Sequence, residues 1–95
     1  MADTIKVLSS EIVVGTSANT VSGASLVRII NTSDSPNDVL ITLKDSDGAT
    51  KGTFTLGHEA TGFSTINLIK LSTDTIQANT ANATVVTKAV SIAFT

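Results

Sequence analysis

His58 is the only histidine of the chain, and Glu59 stands beside it. A histidine next to a carboxylate is the minimum of an acid–base pair. In a strand, however, neighbouring side chains point to opposite faces, so the two would not converge. A nucleophile held within hydrogen-bond reach would also be needed, and no Gly-x-Ser-x-Gly elbow occurs among the many serines. The pair therefore reads as part of a polar turn. Asp45-Ser46-Asp47-Gly48 resembles the opening of a calcium loop. That loop needs alternating oxygen ligands, a glycine at its sixth position and a glutamate at its twelfth. Here Gly48 comes fourth and Leu56 twelfth. Asp and Gly are also the residues that tight hairpin turns demand, and the turn is the expected role.

Other chemistry fails for want of parts. The 8 acidic residues could include a glycosidase pair, but such a pair needs a cleft with carboxylates ~5–10 Å apart. A cleft able to bury a sugar normally takes a longer chain and more rings than 3 phenylalanines with no Trp or Tyr. No phosphate-binding glycine loop is present. Asn31-Thr32-Ser33 and Asn82-Ala83-Thr84 match the glycosylation sequon, which has meaning only in a secreted protein. We expect no enzyme, no cofactor, and neither catalytic nor metal-binding residues.

Charge excludes a second class. The net charge is −2, and Lys6, Arg28, Lys44, Lys51, Lys70 and Lys88 are spread along the chain. Phosphate backbones are gripped by clustered cations, so no nucleic-acid partner is expected. No window approaches the ~20 apolar residues of a membrane span. Met1–Lys6 lacks the basic start and apolar run of a signal peptide. A soluble domain made in a cytoplasm is the expectation.

The elements that must position these residues are strands. Threonine occurs 16 times and serine 11 times in 95 residues; threonine favours strands while keeping an exposed face wet. Short apolar runs alternate with Gly/Ser/Asn/Asp clusters at intervals of roughly 8–12 residues, the signature of a sandwich or barrel. No helical period persists over ten or more residues. Strands are predicted over 5–8, 11–14, 24–31, 38–44, 51–56, 63–71, 74–78 and 83–94, the last with a bulge near Lys88 where the apolar phase breaks. Loops are predicted over 16–23 and 32–37, the latter holding the only proline, Pro36. These runs predict one all-β domain over residues 1–95. The expected form is a small antiparallel β-sandwich of seven to eight strands, immunoglobulin-like or jelly-roll-like, with a small barrel as second choice. The expected core is Val27, Ile29, Val39, Ile41, Leu43, Phe54, Leu56, Ile76, Val90 and Ile92.

Two predicted strands carry apolar residues on both faces. Leu26 and Ile30 oppose Val27 and Ile29, while Phe63, Ile69 and Leu71 oppose Ile66 and Leu68. A solvated sheet face should be polar, and surplus apolar surface marks interfaces. Leu26, Arg28, Ile30, Ile66 and Leu68 are therefore the candidate partner interface. Arg28 would supply a salt bridge to an acidic residue of the neighbour.

Three segments carry a family resemblance. They are Val21-Ser22-Gly23-Ala24-Ser25-Leu26-Val27-Arg28-Ile29-Ile30-Asn31; Gly52-Thr53-Phe54-Thr55-Leu56-Gly57 with Glu59 and Phe63; and Lys70 with Ser72-Thr73-Asp74-Thr75-Ile76, followed by Lys88-Ala89-Val90-Ser91-Ile92-Ala93-Phe94. The pattern, over about two-thirds of the chain, resembles small virion structural proteins of tailed bacteriophages, particularly of marine cyanobacteria. A Lys-x-x-Thr-Asp-Thr-Ile-like segment is its strongest part, here with one extra residue after Lys70. The resemblance implies a non-enzymatic building block: a capsid decoration (cement) subunit, or a neck or tail component. It would be made in the bacterial host cytoplasm, reside in the virion, form a homo-oligomer and contact other virion proteins. The alternative is a small carbohydrate- or surface-binding adhesin module.

Overall fold

The computed structural model describes residues 5–33, 37–58, 64–80 and 85–94. Pro36, Glu59, Phe63 and the 82–84 sequon lie outside these. The described residues form eight strands and no helix: β1 (Ile5–Val7), β2 (Ile12–Val14), β3 (Leu26–Asn31), β4 (Val39–Lys44), β5 (Thr50–Leu56), β6 (Thr65–Ile69), β7 (Thr75–Ala78) and β8 (Thr87–Phe94). They make two antiparallel sheets. One runs β1-β8-β3-β6, with β2 also paired to β8; the other runs β5-β4-β7. The predicted β-sandwich is the observed fold.

Pairing registers show which side chains meet. Val27 and Ile29 of β3 stand opposite Leu68 and Ile66 of β6 and beside Ser91 and Ala89 of β8. On the other sheet, Val39 pairs with Leu56 and Ile41 with Phe54, while Ile41 meets Ala78 and Leu43 meets Ile76. Directly paired residues of antiparallel strands share a face. The two inner faces close one cluster containing Val14, Val27, Ile29, Val39, Ile41, Leu56 and Ile76. The chain passes between sheets after β2. The Gly15 carbonyl accepts from Ala78 N–H (2.8 Å), and Asn19 exchanges backbone bonds with Ile76 (2.9 and 3.0 Å).

The predicted 16–23 loop holds an unusual turn. Val21, Ser22 and Gly23 have φ of 55°, 57° and 68°. A β-branched residue in this region is strained by about 1–3 kcal/mol. Val21 is nonetheless buried in the core. Its N–H donates to Asn19 Oδ1 (2.7 Å) and the Gly23 N–H to Thr20 Oγ1 (3.2 Å). Burial of the Val21 side chain offsets the backbone cost.

Two expectations are corrected. Leu43 and Phe54 are only half-buried and pack against the rim of the cluster. No bulge interrupts β8 at Lys88, which stays in register from Thr87 to Ser91; the shift falls instead between Leu43 and Lys44. In β8 the residues facing the other sheet are Thr87, Ala89 and Ser91, paired with Asn31, Ile29 and Val27. Val90 and Ile92 are buried as expected, on the opposite side of the strand and outside the inter-sheet cluster.

These burials set an order of costs. Ile29→Ala removes a fully enclosed side chain and should destabilise by about 2–5 kcal/mol in urea unfolding. Phe54→Ala, at the rim, should cost less. Equal midpoints for wild type and Ile29→Ala would contradict this placement of the core.

Candidate interaction face

The residues best suited to chemistry are occupied by structure. Asp45 Oδ1 accepts the N–H groups of Asp47 (2.9 Å) and Ala49 (3.0 Å), closing the turn between β4 and β5. His58 is paired with Asp38, which lies across the mouth of that hairpin. The His58 backbone N–H donates to Asp38 Oδ1 at 2.9 Å, and Nδ1 lies 2.7 Å from the same oxygen. The backbone bond, seconded by the ring, holds the Asp38 carboxyl below its ordinary value. Sequence reading had set His58 beside Glu59 and missed Asp38, twenty positions upstream, because only the β4–β5 register brings it close.

A more elaborate polar cluster joins the sheets at one end. Lys70, just after β6, is buried. Its Nζ donates to the carbonyls of Ala24 (2.7 Å), Asp74 (3.0 Å) and Leu71 (3.2 Å). An ammonium has three hydrogens, and all three are used. Burial pushes the Lys70 pKa down, opposed by the nearby Asp74 charge. Asp74 Oδ2 accepts from Lys51 Nζ (2.9 Å) and the Leu71 N–H (3.0 Å), whereas its Oδ1 is buried with no partner among the described residues. The Lys51 hydrogen bond, ahead of the Leu71 bond and the two lysine charges, lowers the Asp74 pKa against the opposing pull of burial. At the other end Asn31, fully buried, donates to the carbonyls of Asn37 (2.9 Å) and Leu56 (3.2 Å) and accepts from Ser33 N–H (2.9 Å). These are fastenings. The described residues enclose no pocket and contain no group of three or more His, Cys, Asp or Glu placed to hold a metal.

What remains is surface, and the two outward faces differ sharply. That of the three-stranded sheet carries Leu40, Thr42 and Lys44, paired with Thr55, Thr53 and Thr50, and Gln77 and Thr75. It is a face for water. That of the five-stranded sheet is aliphatic. Val7 pairs with Ile92 and Leu26 with Ile69. The Val27–Ser91 pairing, continued by one residue, sets Ile92 beside Leu26. Val7, Ile92, Leu26 and Ile69 thus form one row across four strands, in which Ile92 is buried and Leu26 half-buried, so the exposed apolar surface lies at its two ends, Val7 and Ile69. A second row holds Val13, Lys88, Ile30 and Thr65; between them lie Val90, Arg28 and Asn67. Val7 is 61% exposed, Val13 58% and Ile69 80%.

The register divides the five expected interface residues. Leu26, Arg28 and Ile30 share this outer face. Ile66 and Leu68 share the inner face with Val27 and Ile29; Leu68 packs against the core, and Ile66 stays 37% exposed because β6 is an edge. Arg28 is exposed and forms no ion pair among the described residues. Lys88 lies 3.9 Å from Glu11. The sequence reading singles out neither Val7 nor Val13, and leaves Ile69 out of the interface. Parity with Leu26 and Ile30 would have found them once the strand neighbours were known. No protein-family model, curated protein or solved structure matches the chain.

The Asp74 fastening predicts an acid response. Its folded pKa lies below its unfolded one, so the unfolded chain binds more protons between the two. The stabilisation is complete above the ordinary carboxylate value of ~4 and is lost as pH falls through the folded pKa. Lys51→Met removes the first cause of the shift, so acid unfolding followed by circular dichroism should move to higher pH. An unmoved acid midpoint would deny Lys51 this role. Lys70→Met leaves three carbonyls without their donor and should lower stability by ~3 kcal/mol or more.

Proposed function

We propose that this domain is a non-enzymatic structural subunit that attaches to a protein assembly through the outer face of its five-stranded sheet. The observation that carries the proposal is the contrast between two faces of one sandwich. One is coated with Thr, Gln and Lys around Leu40; the other exposes Val7, Val13 and Ile69, with Leu26 and Ile30 half-buried between them. Exposed apolar surface of this kind favours a partner by ~25 cal/mol per Å² covered. Arg28 and Lys88 are set into that surface, so a complementary partner surface is aliphatic with an acidic residue near its centre. A face-to-face pair of identical copies related by a twofold through Arg28 would instead bring the two guanidinium groups together. We therefore assign the face to a different protein of the same particle.

The particle is proposed to be a phage virion, with the chain as a capsid decoration subunit or a neck or tail component. This part rests on the sequence resemblance alone. Fastening by hydrogen bonds within the domain suits such a role, since the fold needs no cofactor or disulfide to hold its shape.

Mass spectrometry of virions purified from the host that carries the sequence tests the proposal. The chain should be present at a copy number matching a capsid lattice, a neck ring or a tail. Changing Val7 and Val13 together to Ser, both exposed, should lower melting by no more than roughly 4–8 °C, since surface substitutions usually shift stability by no more than ~0.5 kcal/mol each, while abolishing incorporation. Absence from particles, together with glycan binding by a monomer, would favour the adhesin alternative.

A further inference from the structure

The open edge of β6 supports an inference that rests on the subunit reading and adds a second, separate contact. Sheet edges present unpaired backbone groups, and proteins blunt them with charge, proline, bulges or covering chain. Three of the edges here are so treated. β1 carries Lys6 and β2 adjoins Glu11, with a break between them. β5 carries Lys51. β7 is covered by Gly15 and Asn19. Among the described residues β6 has none of these devices: it reads Thr65-Ile66-Asn67-Leu68-Ile69, has no charge, and all but Leu68 are exposed.

The ladder phase shows which groups are open. Asn31 N–H donates to Ser64 O (2.8 Å) and Lys70 N–H to Ser25 O (3.0 Å). In an antiparallel ladder this directs the backbone groups of even-numbered residues toward β3. The amides and carbonyls of Thr65, Asn67 and Ile69 are then directed away from β3, and no described residue pairs with them.

We infer that β6 pairs antiparallel with β6 of a second copy, about a twofold axis passing by Asn67 and perpendicular to the sheet. A twofold edge sets each residue against its own mirror position, so any charge near the axis meets its like; a charge-free strand is what such a pairing requires. In this register Thr65 meets the second copy's Ile69, and Asn67 meets its own counterpart. Each pair exchanges both backbone bonds, since all three residues are the ones with open groups. Ile66 meets the second copy's Leu68 on the inner face, which covers the exposed side of Ile66. The two asparagine amides can bond to each other across the axis. Because the axis is perpendicular to the sheet, both outer faces lie on the same side. The dimer doubles the aliphatic surface offered to the particle and presents it twice, so attachment gains from bivalency.

The test is sedimentation velocity of the full chain at micromolar to high micromolar concentration. Wild type should give a two-copy species. Asn67→Pro removes an open-edge donor without touching the β3–β6 ladder, and should give a monomer whose circular dichroism matches wild type and whose melting temperature, unlike that of wild type, does not depend on concentration. Asn67→Lys, which places like charges at the axis, should do the same and covers the case in which the proline variant fails to fold. Val7→Ser with Val13→Ser, far from β6, should remain dimeric. A wild type that is monomeric throughout, or Asn67 variants that stay dimeric, would overturn the inference. If the Asn67 variants stay dimeric while the Val7/Val13 variant dissociates, copies pair through the outer face, which overturns both the edge and the assignment of that face to a different protein. If the dimer behaves as expected but the chain is absent from virions, the edge stands and the subunit reading falls.

Discussion

Val27 and Ile29 from one sheet and Val39, Ile41, Leu56 and Ile76 from the other close a single aliphatic layer, and the remainder of the structure is arranged around that layer. A chain of 95 residues with no cysteine has no covalent staple and buries a modest share of its surface. Two sheets in contact through aliphatic side chains can slide, because the hydrophobic effect has no direction. Directional bonds at the rim must fix their relative position.

Strand β3 shows how this is done. Lys70 grips the Ala24 carbonyl just before the strand begins, and with Asp74 and Lys51 it ties that end to the second sheet. Asn31 ends the strand and reaches the carbonyls of Asn37 and Leu56 in the opposite layer. Between these fastenings lie Val27 and Ile29. Buried polar groups cost free energy when unpaired and specify geometry when paired. The side-chain donors and acceptors of Lys70 and Asn31 are all engaged; Asp74 Oδ1 and Thr87 Oγ1 are buried with no partner among the described residues. The strained turn at Val21–Gly23 belongs to the same device, since it delivers the Ala24 carbonyl to Lys70.

Much of the fold was legible in the sequence because strand alternation is a local signal. Val39-x-Ile41-x-Leu43 and Phe54-x-Leu56 lay on the expected side, and the Asp45–Gly48 turn followed from its composition. The failures share a cause, which is that a strand does not state which of its faces meets the other sheet. In β8 the small Thr87, Ala89 and Ser91 face the other sheet, while Val90 and Ile92, buried as expected, lie on the opposite side of the strand. Ile66 and Leu68 were grouped with Leu26 and Ile30 for the same reason; only the β3–β6 register, a pairing between segments far apart in sequence, separates them. Lys70 read as a solvated lysine, since nothing local announces that three carbonyls converge on it.

The two outer faces then acquire different meanings. Threonine on the three-stranded sheet preserves β propensity while satisfying water. The five-stranded sheet forgoes that solution at Val7, Val13 and Ile69, a choice that makes sense where another surface replaces the solvent. Hydroxyl-radical footprinting read by mass spectrometry tests this central claim most directly, by comparing the assembled protein with the isolated domain. Leu40, 38% exposed on the polar face, serves as the internal reference. On assembly Val7, Val13 and Ile69 should lose reactivity while Leu40 keeps its own. Protection of Leu40 with Val7, Val13 and Ile69 unchanged would contradict the account, because the covered face would then be the one built for water.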